Sequence, residues 1–76
     1  MNDRIEINPN ILVGKPVIKG TRIPVTLILN LLAHGYTVDR VIEAYPILTK
    51  DDCMAALEYA QAVLNREDIH PLTQTV

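Results

Sequence analysis

The residues able to do chemistry in this chain are few and poorly grouped for it. Gly14-Lys15-Pro16-Val17-Ile18-Lys19-Gly20-Thr21 has the composition of a phosphate-binding loop. Such a loop needs glycine, then lysine, then serine or threonine, so that backbone N–H groups and an ammonium converge on one phosphate. Here Lys19 precedes Gly20 and no helix follows at once. The string therefore reads as two turns bracketing a short strand. Asp51 and Asp52 are adjacent, so on a helix they point about 100° apart. That suits cap and dipole chemistry better than a shared site. His34, His70 and Cys53 have no spacing that would close a metal site, and Cys53 falls at a core position. No nucleophile, paired base and polar cleft can be assembled, and no cofactor is implied. The expectation is a binding protein, not an enzyme.

The charges are unevenly placed. The net charge is −2 over 76 residues. In residues 1–22, Arg4, Lys15, Lys19 and Arg22 outnumber Asp3 and Glu6. In residues 37–68, Asp39, Glu43, Asp51, Asp52, Glu58, Glu67 and Asp68 outnumber Arg40, Lys50 and Arg66. The arm is basic and the helical part acidic. Lys15, Lys19 and Arg22 are the candidates for contact with nucleic acid or another anion. The third helix opens Lys50-Asp51-Asp52, which in a helix-turn-helix would press two carboxylates against phosphates. DNA binding is disfavoured on that ground.

A chain this short makes one domain. Its core must be aliphatic, because Phe and Trp are absent and the aromatics are Tyr36, Tyr45 and Tyr59. One cysteine excludes a disulfide scaffold. No apolar run approaches the roughly 20 residues of a membrane span, and the first residues lack the pattern of a signal peptide. A cytoplasmic protein is expected.

The elements follow from periodicity and punctuation. Residues 4–8 alternate as a short strand ended by Pro9-Asn10. Ile11-Leu12-Val13 is an apolar run stopped by Gly14-Lys15-Pro16. Val17-Ile18 and Ile23 flank a tight turn in which Gly20 takes φ > 0. Pro24 fits the first turn of a helix from Val25 to His34, with Gly35 as its left-handed stop. Val25, Ile28, Leu29 and Leu32 form one apolar stripe of this helix, and Leu27 and Leu31 a second. A helix this apolar is buried on more than one side, and Leu27 and Leu31 are the candidate partner-binding surface. Thr37 caps a second helix from Val38 to about Tyr45, ended by Pro46; Tyr36 and Val41 form a hydrophobic staple. Thr49 caps a third, from Lys50 to roughly Asn65, with Cys53, Ala56, Leu57, Ala60, Val63 and Leu64 as its core face. The expected layout is a β arm over 1–24, a trihelical core over 25–65 and a tail over 66–76. Gly14, Gly20, Gly35 and Pro46 are its structural turns. The fold class is mainly α, a three-helix, helix-turn-helix-like core with a short β extension.

The stretch from Ile7 through Gly14-Lys15-Pro16 and Lys19-Gly20-Thr21-Arg22-Ile23-Pro24-Val25 resembles the signature of the domain-of-unknown-function family 433. Gly35-Tyr36-Thr37, Tyr45-Pro46-Ile47-Leu48-Thr49 and Ala55-Ala56-Leu57-Glu58-Tyr59-Ala60 match its second half. The resemblance covers about Ile5 to Ala62. It implies a homeodomain-like fold and an antitoxin-like role in bacterial toxin–antitoxin pairs, with a PIN-like nuclease toxin as partner. Alternatives are a dimeric DNA-binding regulator and a structural self-assembly module. A homodimer is expected, with the arm strands at or near its interface.

Overall fold

Short polar side chains, proline and glycine close each element on its own neighbours. The computed structural model describes residues 3–67; His70 and the tail from Asp68 lie outside them. The strand expected over 4–8 reduces to Ile5–Glu6 (β1), which pairs antiparallel with Val17–Ile18 (β2). Ile5 faces Ile18 and Glu6 faces Val17. The Asn8 carboxamide accepts from the Asn10 N–H at 2.8 Å, turning the chain at Pro9.

Leu12–Gly14 then makes one 3-10 turn of left-handed backbone. Leu12 and Val13 have φ of 49° and 57°, and Gly14 has 81°. Sequence reading anticipated the Gly14 turn but not two bulky residues in this region. Such positions each cost on the order of 1–3 kcal/mol.

The Lys19–Arg22 turn is built as expected. Gly20 has φ 83°. The Thr21 hydroxyl donates to the Ile18 carbonyl at 2.7 Å and accepts from the Ile23 N–H at 2.9 Å. The string that resembles a phosphate loop is thus a turn satisfied by its own threonine. A further bridge joins Val17 to Pro24, and the Val25 N–H donates to the Pro16 carbonyl at 2.9 Å. The arm is thereby hydrogen-bonded to the first helix.

That helix is Val25–Ala33 (α1), with Pro24 outside it as N-cap and His34 as C-cap. The Gly35 N–H donates to Leu32 and the Tyr36 N–H to Leu31, both at 3.1 Å. With φ 95° at Gly35 this is a Schellman ending. His34 Nδ1 stands 2.7 Å from the Asn30 carbonyl. A carbonyl can only accept, so that nitrogen carries the proton. Val38–Ala44 (α2) starts where the Thr37 hydroxyl accepts from the Arg40 N–H at 3.1 Å. It stops one residue earlier than expected, because Tyr45, before Pro46, has left the helical region at φ −131° and ψ 81°. Lys50–Glu67 (α3) has 18 residues. Positions 66 and 67 therefore belong to the helix and not to a tail.

The core joins β2 to all three helices. Ile18, Val25, Ile28, Val41, Leu48, Cys53 and Ala56 form its buried cluster. Leu29, Leu31, Leu32, Tyr36, Ile42 and Tyr59 pack against it, half-buried. Leu31, a candidate for partner binding, is half-buried with one side against the core. One expectation is corrected. Leu57 and Leu64 are 42% and 57% exposed instead of lining the core face. Among the described residues of α3, the buried ones are Asp52, Cys53, Ala55 and Ala56, all in its first half. At 1.5 Å per residue, α1 and α2 are too short to cover the rest of it.

Candidate interaction surface

Three surfaces carry the residues singled out by sequence. At the start of α3, the Asp52 N–H donates to the Thr49 hydroxyl at 3.1 Å. The Asp52 carboxylate accepts from the Thr49 N–H at 3.0 Å. This is a reciprocal capping box. Arg4 closes it from outside: its guanidinium donates to Asp52 at 3.1 Å and stands 3.5 Å from Asp51. The two carboxylates, expected to point apart, are thus gathered by one cation from the arm. Asp52 keeps a side chain only 10% exposed, against 74% for Asp51. Sequence reading missed the pairing because 48 residues separate Arg4 from Asp52.

The pairing changes the meaning of the basic arm. Arg4 serves the cap. Lys19 and Gly20 line a shallow cleft with Asp3, Arg4 and Asp52, so this side is mixed in charge. Lys15 and Arg22 are exposed. The N-terminus of α3, which a helix-turn-helix would insert into a groove, presents Asp51 and Asp52 under β1.

The third surface is the outer side of α1. Among the described residues, Thr26, Leu27, Leu29 and Asn30 line an open, mainly apolar groove there. Leu27 is half-buried and Thr26 and Asn30 are exposed. Of the two partner candidates, Leu27 lines this groove and Leu31 does not appear among its described lining. Beside α2, the Arg40 guanidinium lies 5.0 Å from the Tyr36 ring centre, a cation–π contact that fixes the turn between α1 and α2.

Cys53 is buried and free. Burial pushes its thiol above the ordinary value of 9.0, and the neighbouring Asp52 carboxylate adds to the shift. The folded chain holds this proton more tightly than the unfolded chain. Its stabilisation is complete below the unfolded pKa and is lost as pH rises through the folded one. The melting temperature is therefore expected to fall above pH 9.0, with a shallower fall in Cys53→Ala. Equal slopes in thermal melts of the two proteins would remove Cys53 as a cause.

No helix among the described residues is long and apolar enough to cross a membrane. Fold and surface define a class: a small trihelical module with a two-stranded β extension, whose distinctive surfaces are apolar helix faces.

The comparisons make this class specific. The family described as "Protein of unknown function (DUF433)" matches residues 5–60. The chain belongs to this family. The uncharacterized protein y4eO of Sinorhizobium fredii is 42% identical over 55 residues, which are 72% of this chain and 25% of that protein. The crystal structure of a DUF433 member protein from Anabaena variabilis matches with a TM-score of 0.76 and 31% identity, over 86% of this chain and 64% of that one. The chain thus spans a quarter of the first relative and under two thirds of the second.

Proposed function

We infer that this protein is an antitoxin-like binding module that docks on a partner protein through the outer face of α1 and blocks it. The observation that carries the reading is the groove of Thr26, Leu27, Leu29 and Asn30. Leucine on an outward helix face, rimmed by small polar groups, is the composition of a helix-in-groove or helix-on-surface contact. The partner class, a small PIN-like nuclease toxin, rests on the family resemblance. Groove reading of DNA by α3 has less support, since the leading edge of α3 carries Asp51 and Asp52.

The test is a tagged pull-down from the native host, with co-eluting proteins identified by mass spectrometry. A small nuclease in near-stoichiometric amount is expected, lost in Leu27→Asp and inhibited by the unmodified protein. Nuclease capture unaffected by Leu27→Asp would reject the α1 surface. Co-eluting duplex DNA would favour the regulator instead, with affinity falling roughly 10³–10⁵-fold between 50 and 200 mM salt if several phosphates are held.

A further inference from the structure

Val13 carries a cost that its own packing does not repay. Its backbone is left-handed at φ 57°, a region poorly suited to a β-branched side chain. Its side chain is 92% exposed, so no burial offsets the strain. The turn that holds it is closed on both sides. The Ile11 N–H donates to the Asn8 carbonyl at 2.9 Å, the Gly14 N–H to Ile11 at 3.0 Å and the Lys15 N–H to Leu12 at 3.2 Å. The surrounding turn thus holds an apolar tip outward. Backbone strain of this kind clusters at ligand clamps and contact sites.

The charges around this tip have one sign. From Ile7 to Val38 the chain carries Lys15, Lys19 and Arg22 and no Asp or Glu. That stretch holds the strained turn, β2 and all of α1. Lys15 and Arg22 are exposed and have no ion-pair partner among the described residues. Backbone bonds set Lys15 beside the start of α1, because its neighbour Pro16 accepts from the Val25 N–H at 2.9 Å and Val17 bridges to Pro24. Arg22 precedes Val25 by three residues. Val13 and Lys15 therefore lead into the helix that presents Thr26, Leu27, Leu29 and Asn30.

Apolar groups set among unpaired cations are complementary to an apolar surface rimmed by carboxylates. A nucleic acid would supply the negative charge but leave the isopropyl group of Val13 without a pocket. A protein pocket takes both. The turn is already in place before contact, so docking orders no loop.

We propose that the strained turn is a second contact to the partner protein of the α1 surface: Val13 enters an apolar pocket of that protein, and Lys15 and Arg22 pair with carboxylates at its rim. The proposal rests on the docking role of α1 and adds the chemistry of the partner, an apolar site with an acidic border.

The test uses the full chain and the nuclease it captures from the native host, identified by mass spectrometry and produced recombinantly, with binding rates read by surface plasmon resonance. Val13→Gly frees the backbone and should raise the melting temperature by about 4 °C. It should nonetheless weaken binding at least about tenfold, mainly through faster dissociation. Lys15→Glu combined with Arg22→Glu should also weaken binding at least about tenfold, mainly through slower association, and the loss should shrink at high salt. Circular dichroism should be unchanged in both variants. A nuclease released by Leu27→Asp but indifferent to Val13→Gly and to the charge reversals would overturn the arm contact and leave α1 docking standing. No captured nuclease would overturn both. An unchanged melting temperature in Val13→Gly would remove the strain on which the proposal stands. A labelled DNA duplex bound through Lys15 and Arg22 but not Val13 would overturn it in favour of nucleic acid.

Discussion

Replacing Ile28 with alanine should lower stability by about 2–5 kcal/mol. Ile28 is fully buried, and it sits on α1 within the cluster that also holds Ile18 of β2, Val41 of α2 and Cys53 of α3. Removing three carbons leaves a cavity bordered by several elements at once, so no single side chain can move in to fill it. A domain of this size has only about 4–11 kcal/mol in total, at the usual stability per residue. The variant should therefore unfold at much lower urea concentration with an unchanged denaturant slope. Ile28→Val, which keeps most of the volume, should lose about 0.5–1.5 kcal/mol. Equal midpoints for the alanine variant and the unmodified protein would mean that the core is not organised around α1.

Asp52→Ala should produce the next largest loss, about 2 kcal/mol. It removes half of the capping box with Thr49, worth about 1 kcal/mol. It also removes a charge-assisted hydrogen bond to Arg4, discounted to about 1 kcal/mol because the Arg4 side chain is 48% exposed. Arg4→Ala should lose about 1 kcal/mol, since the Thr49 N–H still serves the carboxylate. The double variant should then lose less than the sum of the single losses, with a coupling near 1 kcal/mol. Thermal melts of the four proteins provide the cycle. Hydrogen exchange adds a local readout, because the Lys19 N–H bonds the Arg4 carbonyl at 2.8 Å and should exchange faster once the arm is released. Additive losses would show that Arg4 does not hold the arm through Asp52.

These two positions separate what is local from what is not. The helix boundaries were legible because their causes lie within a few residues. Gly35 supplies a left-handed stop, Thr37 and Thr49 offer hydroxyls to N–H groups three residues on, and Pro46 pushes Tyr45 out of the helix. The Lys19–Arg22 turn was legible for the same reason: Gly20 and Thr21 make it themselves. Periodicity and these caps together gave the trihelical class, the family signature agreed with it, and the structure bears it out.

Helical spacing determined which residues share a face but not which sector of that face would be covered. Leu31 packs inward and Leu27 lines a groove. Leu64 stays exposed because α3 has 18 residues against 9 in α1 and 7 in α2, and its second half outruns them, whereas Leu57, in the first half, lies at the edge of the face that buries Cys53 and Ala56. The left-handed Leu12 and Val13 have no sequence signal, since glycine is the residue that ordinarily marks such backbone. The meeting of Arg4 with Asp51 and Asp52 was equally hidden. Helices and their ends are fixed by interactions spanning five residues or fewer, whereas burial and ion pairing depend on which distant segments the chain brings together, and only the tertiary structure decided that.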